Sequence, residues 1–312
     1  MKPLVSVIIP CYNAERWVAD SVASALAQTW PEIEVIAVND GSSDGSLEVL
    51  KRISGPRVRV IDQPNRGASA ARNTGLREAR GAFIQFLDAD DLLTSGKIAE
   101  QVALLESQGT EAVATTRWAR FTRDPANAYT TESPLFRDLS PVDFLLLYAA
   151  GGHMMHPAAW LVPSSVAKNA GPWNESLSLN DDGEYFSRVV MASKRILHAP
   201  DSLTFYRSYV PNSLSGRRDR RSLDSLYRSF ELVAHHLSGA ENSPRVHRAL
   251  ADCFQRLVYE VYPEAPDLSS NAAVRVKEFG GSELPPQMGR RQALLARFVG
   301  WKLAKRIARN LT

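Results

Sequence analysis

Four carboxylates, Asp88, Asp90, Asp181 and Asp182, carry the most chemistry in this 312-residue chain. The first pair sits in Phe86-Leu87-Asp88-Ala89-Asp90-Asp91, directly after an apolar run that reads as a buried strand. A strand that exits into Asp-x-Asp sets hard oxygen ligands at the carboxyl edge of a sheet. Open α/β folds bind their ligands at that edge, and Mg²⁺ or Mn²⁺ can hold a substrate diphosphate there. The second pair lies far along the chain and could supply a base to the same reaction. Acids after a strand can also simply cap the next helix, a role that suits Asp91. A cap needs one acid, however, and this strand is followed by Asp88, Asp90 and Asp91.

The elements that must position these groups follow from the hydrophobic pattern. Runs that are apolar on consecutive residues, at 4–9, 33–38, 58–61 and 83–87, predict strands buried on both faces. Between them, Asn13 is placed to cap a helix carrying Val18, Val22 and Leu26 that stops near Pro31. Ser43 or Asp44 can cap a second with Leu47, Val49 and Leu50 inward, and 68–79 and 98–105 give two more. Strands alternating with helices mean βαβ units, right-handed crossovers and a parallel sheet, so the first half is a nucleotide-binding type of α/β fold.

Further along, 117–141 reads as polar and loop-rich, 144–149 as an apolar helix and 158–162 as a strand. A turn is expected at Gly171-Pro172-Trp173, a helix at 185–192 with Phe186, Val189 and Val190 on one face, and a late strand at 203–206. The basic run 216–221 marks a boundary, which divides the chain into 1–215 and a helical region, 216–312. In that region 223–237 and 246–262 are helical, and 263–286, rich in Pro, Gly and Ser, reads as loop.

An apolar share of 44% with 23% charged residues describes a soluble globular protein with enough material for a sizeable core. The net charge of +3 is too small to argue for a nucleic-acid partner. Cys11 and Cys253 are far apart without metal-type spacing, so a reducing, cytosolic setting is expected and no disulfide framework. The first apolar run is too short for a signal sequence, and no stretch approaches the roughly eighteen apolar residues of a membrane span. A cytoplasmic protein is therefore expected, with room for peripheral attachment to the inner face of a membrane.

The sheet edge decides the ligand. Three strands end in polar residues, at Pro10-Cys11-Tyr12-Asn13, Asn39-Asp40-Gly41-Ser42 and Asp88-Ala89-Asp90. In a parallel sheet these ends lie side by side and can form one crevice. Neither Gly-x-Gly-x-x-Gly after the first strand nor Gly-x-x-x-x-Gly-Lys-Ser/Thr occurs, which argues against dinucleotide and P-loop modes. Phosphates must then be neutralised by a divalent ion held by Asp88 and Asp90. Asp40 can accept from an imide N–H such as uracil N3, although Asp-Gly is also a strong turn dipeptide.

Val5-Ser-Val-Ile-Ile-Pro-Cys-Tyr-Asn13, Val38-Asn-Asp-Gly-Ser-Ser-Asp44, Asn65-Arg-Gly-Ala-Ser-Ala-Ala-Arg-Asn-Thr-Gly75 and Phe86-Leu-Asp-Ala-Asp-Asp91 follow one another in order. In that series the chain resembles the family 2 glycosyltransferases of the GT-A fold, over the stretch up to about residue 210. The resemblance implies a Rossmann-like, mostly parallel sheet flanked by helices, here with a C-terminal helical extension. It implies an inverting transfer of a sugar from a nucleotide diphosphate sugar to a hydroxyl of a saccharide or lipid-linked acceptor. Pro10, Tyr12 and Asp40 match the family's nucleoside-binding positions, and Gly67, Ala70 and Arg72 lie in the stretch that covers the donor. Asp88 and Asp90 match its metal motif, with Asp90 the direct ligand and Asp88 and Ala89 beside the donor.

Many members open a later helix with a Glu-Asp pair that supplies the catalytic base. Asp182 matches that base and Asp181 replaces the Glu; Gly183 before Glu184 keeps Asp181 and Glu184 as alternatives. Acids at a helix start also stabilise its dipole without any catalytic role. Where many members carry a metal-binding His after a Tyr-Arg pair, Tyr206-Arg207 is followed by Ser208 and Tyr209. Metal binding would then rest on the Asp motif, phosphates and water. Asp40 favours uridine or thymidine over guanosine.

Several residues have two readings. Arg217, Arg218 and Arg220 could close over the departing diphosphate or form a solvated linker. His153 and His156, beside Met154 and Met155, could line the acceptor pocket or be satisfied core histidines. Residues 290–312 contain no acid but seven Lys and Arg, interleaved with Leu294, Leu295, Phe298, Trp301 and Ile307. That reads as a basic amphipathic helix on anionic lipid, or as a helix docked on the core or on another subunit. The oligomeric state stays open. Two other functions compete: a nucleotidyltransferase, which normally needs a Gly-rich basic loop that 11–17 lacks, and a non-catalytic sugar-nucleotide-binding protein, which needs no base.

Overall fold

The consecutive apolar runs become β1 (Val5–Cys11), β2 (Ile33–Asp40), β3 (Val58–Gln63) and β4 (Phe83–Phe86) in the computed structural model, which describes residues 2–209 and 216–309. They pair in parallel in the order β3-β2-β1-β4. Every residue of β1 and β2 is buried, which is why these strands lack polar alternation. The crossovers are α1 (Val18–Leu26), α2 (Ser46–Ile53) and α3 (Ala68–Glu78). Helix α3 approaches β1 so closely that a Cβ on Gly75 would lie 2.3 Å from Ile8.

Asn13 does not cap α1, which begins after Trp17. It adopts φ 51° and its Oδ1 accepts from the Ser43 amide at 2.8 Å, tying the exits of β1 and β2 together. Asp44, just before α2, accepts from the Ser46 amide at 3.0 Å.

A second sheet stands beside the first, with β5 (Leu92–Leu93), β6 (Val113–Phe121), β7 (Tyr129–Thr130) and β9 (Ile196–Arg207) in the order β5-β9-β6-β7. The stretch expected to be loop-rich from residue 117 thus begins inside a strand. Trp118 and Phe121 point inward while Arg117 and Arg120 are half-buried, and the partner that stabilises β6 is β9, far along the chain. Helix α4 (Lys97–Gln108) packs on this pair. Next come α5 (Pro141–Gly151), β8 (Val162–Pro163), antiparallel to β4, α6 (Ser164–Ala170) and α7 (Asp181–Ala192).

The C-terminal helices are α8 (Arg220–Ala240), α9 (Pro244–Glu260), α10 (Pro266–Glu278) and α11 (Arg290–Arg309). Helix α10 corrects the expectation of a loop over 263–286. Pro266 sits in its first turn, where a missing N–H costs nothing, and Leu268, Ala272 and Val276 give it a buried face. One core runs from Phe86, Trp160 and Trp173 through Tyr185 and Phe186 to Leu223, Leu250 and Phe254. Trp173 stacks on Tyr185 with centroids 4.1 Å apart, and Phe86 meets the two rings edge-on at 5.1 and 5.6 Å. Burying each such ring contributes about 1.5–3 kcal/mol, enough to fix α7 against the end of β4.

Helix α11 is two pieces joined at Gly300 (φ 77°). The second docks: Trp301 meets Tyr259 and Tyr262 edge-on at 4.9 and 5.2 Å, and Ala304 is buried. The first leaves Leu294 and Phe298 59% and 82% exposed. Residues 310–312 of the expected basic helix lie outside the described residues. Among the described residues no helix is long and apolar enough to cross a membrane.

Candidate active site

The exits of β1, β2 and β4 form one edge. Pro10 is buried in β1, and the ring of Tyr12, just past it, is half exposed. The Cys11 thiol is pushed up to about 12 by burial and is inert. Asp40 is buried and accepts from Gln63 Nε2 at 2.7 Å, the Arg66 amide at 3.0 Å and the Gly67 amide at 2.7 Å. It thereby holds the loop before α3, where Gly67 has φ 94°, and spends three of a carboxylate's roughly four acceptor positions. Ala70 is buried in the first turns of α3.

Arg72, two residues further along α3, is the hub of the site. Its Nη2 donates to Asp88 Oδ1 at 2.7 Å and its Nη1 to Asp181 Oδ2 at 3.0 Å, and the guanidinium lies 4.4 Å from the Trp173 ring centroid. Ser69 Oγ donates to Asp181 Oδ2 at 2.7 Å. One buried cation therefore joins the Asp-x-Asp edge to the start of α7. Burial works against its charge, but Asp88 and Asp181 outweigh that and raise its pKa above the usual arginine value. Arg72 is 6% exposed and is held by acids on both sides.

Asp91 is buried and accepts from the Arg207 amide at 2.8 Å. Asp90 is half-buried, with Ala89 buried beside it. Burial first, then the neighbouring Asp91 and Asp88, push the Asp90 carboxyl well above the usual range. Crowded carboxylates of this kind are what a divalent cation relieves, so Asp88 and Asp90 fit such an ion. Among the described residues no group of three or more His, Cys, Asp or Glu is arranged to enclose a metal, so ligand oxygens and water would complete the coordination. Arg207 donates through Nε to the Asp90 carbonyl at 2.8 Å and through Nη1 to the Thr122 carbonyl at 3.0 Å, bracing the same edge.

The three acids at the start of α7 separate by environment. Asn180, in the left-handed region (φ 60°), precedes the helix. Asp181 is consumed by Ser69 and Arg72. Glu184 is buried and accepts from Arg188 Nε and Nη2 at 2.7 and 2.9 Å, with His236 Nε2 at 3.5 Å. Bonds from His236 and Arg188 hold its carboxyl below the usual range despite burial. Asp182 lines a cleft of about 180 Å³ with Tyr148, His153, Met154, Met155 and Arg256. Its Oδ1 accepts from the Gly183 amide at 2.9 Å; burial first, and then Asp181, push it up to about 6.

His153 and both methionines are on that cleft, but His156 is not. It is a core residue between Asp91 Oδ2 at 3.3 Å and Thr204 Oγ1 at 2.8 Å, with its pKa pushed down to about 4 by burial. Arg218 and Arg220 pair with Glu260, Asp224 and Asp267 on the C-terminal helices. Sequence reasoning missed Tyr148, Phe230, Cys253 and Arg256 of the cleft, which come from α5, α8 and α9. The available signal was Arg256 beside the apolar stripe of α9.

A sequence model of the family described as glycosyl transferase family 2 matches residues 6–164, just over half of the chain. That span includes the Asp-x-Asp edge and ends before α7. EpsJ of Bacillus subtilis (strain 168), named an uncharacterized glycosyltransferase, is 47% identical over 97 residues, which cover 30% of this chain and 28% of that protein. The chain thus spans little more than a quarter of that relative's length. Residues 1–349 of S. aureus TarS superpose with a TM-score of 0.67 at 18% identity, covering 88% of this chain and 80% of that one. The same TarS fragment has been solved with UDP and with UDP-GlcNAc. The mannosyltransferase PcManGT from Pyrobaculum calidifontis, in complex with GDP-Man and Mn²⁺, superposes with a TM-score of 0.60 at 19% identity, covering 97% of this chain and 81% of that one. The shared architecture is the GT-A fold.

Proposed function

The chain belongs to glycosyl transferase family 2, and we propose that it moves a sugar, with inversion, from a nucleotide diphosphate sugar to a hydroxyl of a saccharide or lipid-linked acceptor. The observation that carries the reading is the placement of Asp182. It faces a cleft, while Arg72 and Asp181 couple its helix to Asp88 at the sheet edge.

In this reading the base of the nucleotide stacks near the exposed Tyr12 ring, and the remaining acceptor position of Asp40 takes an imide N–H. Uridine is the preferred base on that account. UDP-GlcNAc bound to TarS and GDP-Man bound to PcManGT make nucleotide-sugar donors the class to try first. A divalent ion at Asp88 and Asp90 would supply charge neutralisation for the diphosphate.

Asp182 takes the proton of the acceptor hydroxyl, for which a pKa near 6 is suited at neutral pH. The hydroxyl oxygen bonds to the anomeric carbon from the face opposite the diphosphate. The bond from that carbon to the phosphate oxygen breaks, and its electron pair leaves with the nucleoside diphosphate. Arg72 is a positioning residue, since it touches acids on both sides and has little surface left for a ligand.

The first piece of α11, with Leu294 and Phe298 outward among Arg290, Arg291 and Arg297, would lie on the anionic inner face of a membrane and keep the enzyme near lipid-linked acceptors. The experiment is incubation with a panel of nucleotide sugars and detection of released nucleoside diphosphate. Release with one or more donors is expected; no release with any would overturn the reading.

A further inference from the structure

The Asp182 cleft has a second, oppositely charged end. Arg256 comes from α9, a helix of the C-terminal region, and enters the cleft beside His153. Its Nε and Nη2 both donate to the Ala150 carbonyl, at 3.1 and 2.8 Å. That carbonyl lies in the last turn of α5, where helix C=O groups have no partner of their own, so the guanidinium is clamped by fixed backbone. The clamp uses two of its five N–H donors. Arg256 forms no ion pair among the described residues.

Met154, Met155 and Phe230 of the cleft wall hydrate a charge poorly, while Asn180 and Asp182 are also on its lining. A half-buried, pre-oriented guanidinium with one edge free and no carboxylate on it fits a phosphate or carboxylate in bidentate geometry. Holding the side chain in place beforehand also lowers the ordering cost of binding. His153, packed against Gly151, adds a nitrogen donor on the same wall.

We propose that Arg256 and His153 form an anion subsite, so that the acceptor carries a phosphate or carboxylate close to the hydroxyl that Asp182 deprotonates. This rests on the reading of the cleft as the acceptor site. The cleft is polarised accordingly: the carboxylate at one end takes a hydroxyl, and the cation at the other takes an anion. Burial and the adjacent Arg256 already lower the His153 pKa, so a bound anion would raise it again.

The competing role for Arg256 is a cap on α5 alone, and the test separates the two. Glycerol 3-phosphate and glycerol are titrated calorimetrically into the full chain and into Arg256→Gln, whose amide can still donate to the Ala150 carbonyl. The wild-type protein should bind glycerol 3-phosphate on the order of tenfold more tightly than glycerol, and Arg256→Gln should lose that preference. Equal affinities in the wild type, or a preference kept by Arg256→Gln, would overturn the subsite.

Should Arg256→Gln fail to fold, the His153 ring is followed by NMR in the wild type. Saturating glycerol 3-phosphate should raise its pKa, and an unmoved pKa overturns the proposal. A short isoprenyl phosphate in mixed micelles supplies a second arm. Tighter capture than of glycerol 3-phosphate assigns the anion to a lipid carrier; weaker capture assigns it to a soluble or polymer-borne phosphate. The readings fail separately. Nucleotide release without phosphate preference removes only the subsite, and phosphate binding without nucleotide release removes only the transferase reading.

Discussion

The Tyr148 hydroxyl occupies the space where a side chain on residue 183 would begin: a Cβ on Gly183 would lie 2.0 Å from it. The same Cβ would lie 2.5 Å from Asn180 Oδ1, which accepts from the Tyr148 hydroxyl at 3.0 Å. Glycine beside Asp182 is therefore set by the cleft wall rather than by backbone conformation. Replacing glycine by alanine in a helix ordinarily stabilises by about 0.5–1 kcal/mol. Here Gly183→Ala should destabilise by about 1–3 kcal/mol through overpacking, and lower transfer as Tyr148 and Asn180 shift. A raised melting temperature with full activity would contradict this account of the wall.

Asp181 and Asp182 should separate in the same way. Asp181→Asn leaves the buried Arg72 with one carboxylate instead of two, a loss on the order of 3 kcal/mol in chemical denaturation. Combining it with Arg72→Met should cost less than the sum of the two single changes, because the second removes the cation that the first strands. Additive losses would show that the pair does not act as a unit.

Removing the metal tests the Asp-x-Asp edge. UDP should raise the melting temperature more with Mn²⁺ or Mg²⁺ than with EDTA, and Asp90→Asn should shrink the difference. Equal shifts in both conditions, with turnover undiminished in EDTA, would take the metal out of the reaction.

The tail has its own test. Truncation before residue 290 would strip Trp301 from its seat on Tyr259 and Tyr262, so point changes are cleaner. Leu294→Ser with Phe298→Ser should leave the fold intact and weaken sedimentation with anionic vesicles. Unchanged vesicle binding would return α11 to a purely protein-docked role.

Much of the sheet edge was legible in the sequence, because β1, β2 and β4 are short apolar runs that each end in polar residues at one edge. The start of α7 was legible too, since its acids precede a periodic apolar face. The rest depends on contacts between distant segments. Strand β6 reads as polar because its stability comes from β9, and α10 is masked by Pro263 before it and Pro266 in its first turn. The cleft is built from four helices, α5, α7, α8 and α9, so no local pattern announces Tyr148, Phe230 or Arg256. Nothing local in the sequence shows that Arg72 bridges Asp88 and Asp181. His156 shows the same limit: its burial against Asp91 and Thr204 is a tertiary fact.

The central claim is that Asp182 is the base. Only its deprotonated form can take a proton, so wild-type transfer should rise with pH through about 6 and level off above it. The most direct measurement compares Asp182→Asn with the wild type at pH 8, with donor affinity from calorimetry and transfer from product formation. The account predicts near-normal donor affinity with transfer reduced by a factor on the order of 10² to 10⁴. Transfer by Asp182→Asn at close to the wild-type rate would contradict it.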